Sequence, residues 1–431
     1  MFGFSMLDIK LFREDPSLIR ESETRRGHDT KAVDEVIRWD RLWRTALKKV
    51  ELLKAQRNRV SADINQLKKK GKPATASIKE MRKVADDIQK QDVKIKQILE
   101  KRDVARGLVG NILDPSVPQG KTSEDNVPIK FVGKPTKFSF PIKDHIELGQ
   151  MHDLFDFDTA AKVSGARFVY LKNEAVILDL AIQRYALDRL VKKGFTITFP
   201  PLMVNKDTLS GGVNLSEFEE DTYKIEKEDL YLVATTEFPL IALKKGQTLY
   251  ESELPIKVAA YGTCFRREAG SHGRDTKGII RMHQFNKIEE VVICKPEDSA
   301  KYFKELQAIT ESLWTDMGIP YRVVNTCTGD LGNKQAIMYD IEAWLPGQNK
   351  KKGAYREVTS CSNCKNYQAV TLNTRYITKD GKEYVHMLNN TALATSRAIP
   401  AILENFQQKD GSIKIPKVLW KYTGFKEIKH K

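Results

Sequence analysis

The 431-residue sequence has no apolar run near the roughly 20 residues that cross a bilayer, which argues against a helical membrane span. Its start, MFGFSMLDIKLFREDPSLIR, turns charged within ten residues and lacks the long apolar core of a secretory signal. Cysteine is scarce: 5 residues, at 264, 294, 327, 361 and 364. Few and odd in number, they cannot frame a disulfide scaffold, and a reducing, cytoplasmic compartment is expected. The pattern GxxxxGK[ST] does not occur, so a P-loop ATPase is disfavoured. Regular β-α-β alternation is also missing. A mixed or antiparallel sheet with segregated helices, an α+β body, fits better than a doubly wound parallel sheet.

Positive charge is present in excess, but unevenly. The chain carries a formal net charge of +15. Residues 35–106 hold 21 basic and 10 acidic side chains, and residues 409–431 hold 7 and 2. Residues 107–408 balance. A large neutral body therefore bears two basic attachments. Charge alone asks for an anionic partner and does not choose nucleic acid over membrane.

The first attachment reads as a helical hairpin. Val36, Trp39, Trp43, Ala46, Val50, Leu53, Val60, Ile64 and Leu67, with Arg57 filling the gap, step by threes and fours, the seam of a coiled coil. A helix over 36–67 would span about 48 Å. Lys68-Lys69-Lys70-Gly71-Lys72-Pro73 breaks it. A less regular series follows at Ile78, Met81, Ala85, Ile88, Ile95, Ile98 and Ala105, and two long helices with a short link should pack antiparallel. The other faces carry Arg38, Arg41, Arg44, Lys48, Arg59, Lys68, Lys69 and Lys70. Two readings fit these cations: contact with a nucleic-acid backbone, or a solvated, protein-contacting surface. The expected layout is 1–106 for the unit with the arm, 107–145 for a connector and 146–431 for the body.

In the body a helix is expected over 174–192, followed by Gly194 as a stop and a strand at Phe195–Phe199. Further strands are expected at Leu230–Ala234, Ile256–Phe265, Ile279–Phe285, Val291–Cys294, Tyr321–Asn325, Ala336–Glu342, Gln368–Arg375 and Tyr384–Leu388. Helices fit near 298–317 and 390–406. Phe265-Arg266-Arg267-Glu268, a polar loop, and Ile279-Ile280-Arg281-Met282-His283-Gln284-Phe285 read as a hairpin bringing Arg266 and Arg281 together. Two guanidinium groups can clamp phosphate and stabilise charge that grows in a transfer. Phe285 reads either as core or as a stacking platform for a base.

That hairpin resembles motif 2 of the class II aminoacyl-tRNA synthetases, and nearly the whole chain resembles the seryl-tRNA synthetases. Gly194–Pro201 is similar to motif 1 and Leu388–Arg397 to motif 3. Between them Thr235-Thr236-Glu237, Thr328-Gly329-Asp330-Leu331-Gly332, Tyr339-Asp340-Ile341-Glu342-Ala343-Trp344 and Glu357-Val358-Thr359-Ser360-Cys361-Ser362-Asn363-Cys364 match in order. The resemblance implies a catalytic domain built on a mainly antiparallel sheet flanked by helices, behind an antiparallel coiled-coil arm.

It also implies roles. Arg266 would hold the α-phosphate and the substrate carboxylate, Phe285 would stack on adenine, and Arg397 would meet the far end of the triphosphate. Glu268 and Arg281 complete the catalytic and ATP-binding set. Glu357 and Ser360 match positions that contact Mg²⁺ and ATP. Thr235, Glu237, Arg266, Glu289, Asn389 and Thr391 match the serine contacts. Asn390 stands where the family commonly has Gly. Cys361 and Cys364 form a single CxxC pair, and the standard form of the family carries this segment without structural zinc. The implied activity is serine–tRNA ligation through seryl-adenylate, with selenocysteine tRNA as a conceivable second acceptor. The implied partners are serine tRNA, L-serine and ATP, not DNA or membrane. The arm would hold the tRNA, and a homodimer would form through Phe195, Phe199 and Pro201. A synthetase homologue that binds tRNA without chemistry is the competing reading. Intact Arg266, Glu268, Arg281, Glu357 and Arg397 argue against it.

Overall fold

A computed structural model describes residues 6–213, 221–269 and 277–429. Two short helices, α1 (Ile9–Glu14) and α2 (Pro16–Arg26), precede the long pair α3 (Lys31–Lys69) and α4 (Thr75–Gly107). At 39 residues, α3 reaches about 58 Å. Asp15 caps α2 by accepting from Leu18 N, Pro16 opens it, and Gly27 closes it with φ of 77°.

The α3–α4 seam corrects the expected register of the second helix. Ile78 and Ala85 face solvent, whereas Ala74, Ser77, Met81, Val84, Ile88, Gln91, Ile95, Ile98, Arg102 and Ala105 turn inward in unbroken steps of three and four. Met81, Ile88, Ile95, Ile98 and Ala105 keep their expected places, while Ser77 and Val84 take those expected of Ile78 and Ala85. At the root of the pair Val33, Val36 and Ala105 join Leu7, Phe12, Ile19 and Val109 in a separate core. Asp40, 2% exposed, accepts there from Arg13 at 2.8 and 2.9 Å and from Arg44 at 3.1 Å, and lies 3.4 Å from Arg102. These arginines hold its carboxyl below the ordinary range although burial pushes it up.

The body is one eight-stranded sheet. Its strands are β1 (Val127–Val132), β2 (Thr196–Thr198), β3 (Ile256–Phe265), β4 (Gln284–Cys294), β5 (Tyr321–Asn325), β6 (Ile337–Leu345), β7 (Ala354–Asn363) and β8 (His386–Ala394), in spatial order β1-β5-β6-β7-β8-β4-β3-β2. Every neighbouring pair is antiparallel except β2 with β3. The helices α5 (Glu174–Lys192), α6 (Ser299–Met317) and α8 (Thr395–Phe406) pack on the sheet around a large core that includes Leu178, Ile182, Leu306, Leu313, Ile341, Leu393 and Ile402.

Several expected elements change type. Residues 279–281 are bends rather than strand, and β4 starts only at Gln284. The expected strand at 368–375 is the helix α7 (Tyr367–Leu372), with Arg375 beginning a separate short strand. The expected helix at 390–406 begins at Thr395, so Asn390 and Thr391 belong to β8. Phe195 is 5% exposed inside the main core, which removes it from any docking patch. Phe199 is 62% exposed and Pro201 is exposed. The basic tail folds back on the body: Ile413, Leu419 and Ile428 are buried, while Lys414, Lys417, Lys421 and Lys426 face solvent.

Candidate functional site

The cavity of about 450 Å³ lies over the open face of β4, β7 and β8. Strand alternation sets its floor. Phe285, Lys287 and Glu289 alternate along β4 toward the cavity, and Asn389 and Thr391 do so along β8. Thr391 pairs with Glu289 and Asn390 with Glu290. The second pair lies on the opposite face against α6, where Thr310 Oγ1 donates to Glu290 Oε1 at 3.4 Å. Asn390 Nδ2 donates there to Thr310 Oγ1 at 2.6 Å and to Leu306 O at 3.1 Å. Asn390 therefore braces a helix and leaves the cavity lining alone.

All twelve residues matched to serine or ATP contacts line this one cavity: Thr235, Glu237, Arg266, Glu268, Arg281, Phe285, Glu289, Glu357, Ser360, Asn389, Thr391 and Arg397. They come from segments up to 162 positions apart in sequence. Arg266 Nε donates to Ala234 O at 3.2 Å, and its guanidinium carbon sits 5.2 Å from the Phe285 ring centroid. Arg281, although off the expected strand, returns to the same place: its Nη1 donates to Glu268 Oε2 at 2.5 Å. Glu268 has a positive φ of 53°, which turns its side chain back toward Arg281. The stretch 270–276 of the expected polar loop falls outside the described residues.

At the other end, Glu237 and Glu289 are buried, 5% and 1% exposed. Each meets a lysine that reading the sequence did not single out. Lys334 Nζ donates to Glu237 Oε1 at 2.6 Å, Gln368 Nε2 donates to the same atom at 2.8 Å, and Lys287 forms an ion pair with Glu289. Thr391 Oγ1 donates to Glu289 Oε2 at 3.3 Å. Burial pushes the Glu289 carboxyl above its ordinary range. Burial works against the Lys334 charge, but Glu237 outweighs it and raises the Lys334 pKa. Lys287 carried a usable signal, the period-two spacing between Phe285 and Glu289. Lys334, in a turn after Gly332, carried none.

Glu357 and Ser360 lie on β7 along one wall. Behind them Asp340, 4% exposed and paired with Ser360 across the strands, accepts from Thr326 Oγ1 at 3.4 Å while its Oδ1 has no partner. Burial and the Glu357 charge push Asp340 well above the ordinary carboxyl range. Carboxylate and hydroxyl oxygens of this kind suit a hard divalent cation that shares its shell with substrate phosphates. All five cysteines are buried thiols. Cys364, pushed up to about 12 by burial, accepts from Asn389 Nδ2 at 3.6 Å.

Comparison with known proteins covers both the N-terminal unit and the body. Residues 219–406 match the tRNA synthetase class II core domain (G, H, P, S and T), and residues 6–113 match the seryl-tRNA synthetase N-terminal domain. The serine–tRNA ligase of Pyrococcus horikoshii is 45% identical over 98% of this chain and 97% of its own length. The chain belongs to the seryl-tRNA synthetase family. That of Methanocella arvoryzae is 45% identical, covering 97% of this chain and 98% of its own. Among solved structures, the Pyrococcus horikoshii seryl-tRNA synthetase complexed with ATP superposes with a TM-score of 0.91 at 44% identity, covering 99% of this chain and all of that one. The cytoplasmic serine–tRNA ligase of Naegleria fowleri in complex with AMP gives 0.87 at 34% identity, over 99% of this chain and all of that one. The class II family architecture and the seryl-type N-terminal unit are thus both present in this seryl-tRNA synthetase family member. No helix among the described residues is long and apolar enough to cross a membrane.

Proposed function

We propose that this chain is a serine–tRNA ligase in which the single cavity carries both half-reactions. A serine carboxylate oxygen attacks the α-phosphorus of ATP, the bond to the β-phosphate oxygen breaks, and pyrophosphate leaves. The terminal ribose hydroxyl of serine tRNA then attacks the activated carbonyl carbon, and AMP leaves. The observation that carries this reading is the convergence of all twelve matched residues on one cavity.

Arg266 holds the α-phosphate and the serine carboxylate, and Arg397 takes the far end of the triphosphate. Adenine stacks on Phe285, whose ring centroid lies 5.2 Å from the Arg266 guanidinium carbon. On phosphate the Arg266 charge stabilises the transition state. The Glu268–Arg281 pair borders the same nucleotide site. Glu237 and Glu289 receive the serine ammonium, while Thr235, Asn389 and Thr391 surround the hydroxymethyl group. Alanine would leave buried hydrogen-bonding groups unpaired there and is rejected for that reason. Glu357 and Ser360 would hold Mg²⁺, which when bound supplies positive charge to the phosphates. Orientation and arginine electrostatics account for the first step without a side chain acting as general base.

The reading extends to assembly. Residues 1–106 form the tRNA-binding unit, 107–145 the connector, which also lends β1 to the edge of the sheet, and 146–431 the rest of the catalytic domain. Arg38, Arg41, Arg44, Lys48, Arg59, Lys68, Lys69 and Lys70 are all exposed, as backbone contact to tRNA requires. Phe199 and Pro201, with exposed Leu180 at 57% and Ile177 at 42% on α5, suit a homodimer contact. The cytoplasm is the expected location. Serine-dependent ATP–pyrophosphate exchange, followed by charging of serine tRNA, tests the function. Exchange with another amino acid in place of serine would refute it.

A further inference from the structure

The wall of the cavity nearest Glu237 is a turn, residues 332–335, and all four line the cavity. A turn has no strand partner to satisfy its carbonyls. Here each of the four consecutive carbonyl oxygens is held by Arg26 of the N-terminal unit or by Asn111 of the connector. Arg26 Nη1 donates to Gly332 O at 3.0 Å, Asn111 N to Asn333 O at 2.7 Å, Asn111 Nδ2 to Lys334 O at 2.9 Å, and Arg26 Nη2 to Gln335 O at 2.7 Å. The two donors are tied to each other, since Arg26 Nη2 also reaches Asn111 O at 2.9 Å. Both are buried, 6% and 1% exposed.

Two further hydrogen bonds join the same strap to the segment 364–367, whose Tyr367 lines the cavity. Asn111 Nδ2 donates to Cys364 O at 2.8 Å, and Tyr367 OH, from a residue that lines the cavity, donates to Val109 O at 2.7 Å. Close approach is built in at Gly110, where a Cβ would lie 2.8 Å from Arg26 Nε and 3.0 Å from Glu23 Oε1. Asn111 is four residues past the end of α4 at Gly107, so the root of the arm and the wall of the cavity share one short strap.

We propose that Arg26 and Asn111 are positioning residues for the amino-acid end of the site. By fixing the four carbonyls of 332–335 they set Lys334, and through its 2.6 Å bond they set the Glu237 carboxylate that receives the serine ammonium. Recognition of the amino acid thereby depends on Arg26 in the unit that carries the arm and on Asn111 in the connector, both outside the residues 219–406 that match the class II core. This rests on the serine-binding reading of the cavity given above.

The test uses the full-length chain in ATP–pyrophosphate exchange, with KM measured separately for serine and ATP. Arg26→Met removes two donors to the turn, and the serine KM is expected to rise about tenfold with the ATP KM changed less than twofold. Asn111→Ser should move the serine KM in the same direction. Arg26→Lys, which keeps the charge and fewer donors, should give a smaller rise and remains informative if Arg26→Met folds poorly. Arg25→Met is the control, because Arg25 bonds to Asp114 O and Val117 O instead, and its serine KM should match the parent. In a Lys334→Met background, Arg26→Met should move the serine KM less than twofold, since the relay is already cut. Equal rises in both KM values, or an undiminished effect of Arg26→Met without Lys334, would overturn the proposal. Absence of serine-dependent exchange in the parent would overturn the functional reading itself, so the two failures are distinguishable.

Discussion

Asn390 is bonded to Thr310 across 2.6 Å on the helix side of the sheet, while its neighbour Asn389 lines the cavity on the other side. One position along β8 separates a bracing residue from a binding residue. Asn390→Gly removes two buried hydrogen bonds, to Leu306 O and Thr310 Oγ1, and adds backbone freedom within a strand. The expected loss is about 1–3 kcal/mol in denaturant unfolding. The serine KM should stay within twofold of the parent, since the side chain does not reach the cavity.

Arg266 is the side chain on which the chemistry of activation depends most. Arg266→Ala should lower serine-dependent pyrophosphate exchange by about 10²–10³, with unfolding little affected because the residue is exposed. Phe285→Leu keeps an apolar surface but removes the ring face, so it should raise the ATP KM more than the serine KM. Steady-state kinetics with each substrate varied in turn checks both.

Strand alternation and ordered motifs made most of the site legible in the sequence. Phe285 and Glu289, or Asn389 and Thr391, are two or four apart on strands, and their common face follows from that spacing. Arg281 reached the site by another route, a bend rather than the expected strand, held by Glu268. The regions that misled were those where tertiary contacts override local pattern. Residues 368–375 are apolar and β-branched enough to suggest a strand, yet Tyr367 anchors a helix by bonding to Val109 O. Ser77, Gln91 and Arg102 occupy inward positions of α4 that a hydrophobic count passes over. Lys334 and the Arg26–Asn111 strap meet only in three dimensions, so no spacing could announce them.

The arm should matter for the second half-reaction far more than for the first. Removing all of 35–106 would also remove Val36, Asp40, Arg102 and Ala105, which belong to the root packing, so a shorter cut is cleaner. Gln56 Nε2 meets Glu80 Oε1 at 2.9 Å across the two helices. Replacing residues 57–79 by a short glycine linker should keep the root and discard Arg59 and Lys68–Lys70. Aminoacylation is expected to fall at least tenfold with pyrophosphate exchange nearly unchanged. Equal losses in both assays would show that the distal arm supports folding.

His386 predicts a pH dependence. Burial, aided by the Lys365 charge and opposed by Glu297, lowers its pKa from 6.5 to about 4. A depressed value in the fold means that the neutral ring is favoured there. The stability is present above the unfolded value near pH 6.5 and is lost as pH falls toward about 4. The loss over that window is roughly 3 kcal/mol for this group. Unfolding of the parent and of His386→Gln, measured at intervals between pH 7 and 4, should show a smaller acid loss in the variant. Identical slopes would remove His386 from the account.

The central claim is that the cavity over β4, β7 and β8 activates serine. The direct measurement is ATP–pyrophosphate exchange by the full chain with each of the 20 amino acids in turn. Exchange that requires serine, with alanine and threonine far weaker, is the predicted result. Exchange driven by a different amino acid, or by none, would contradict it.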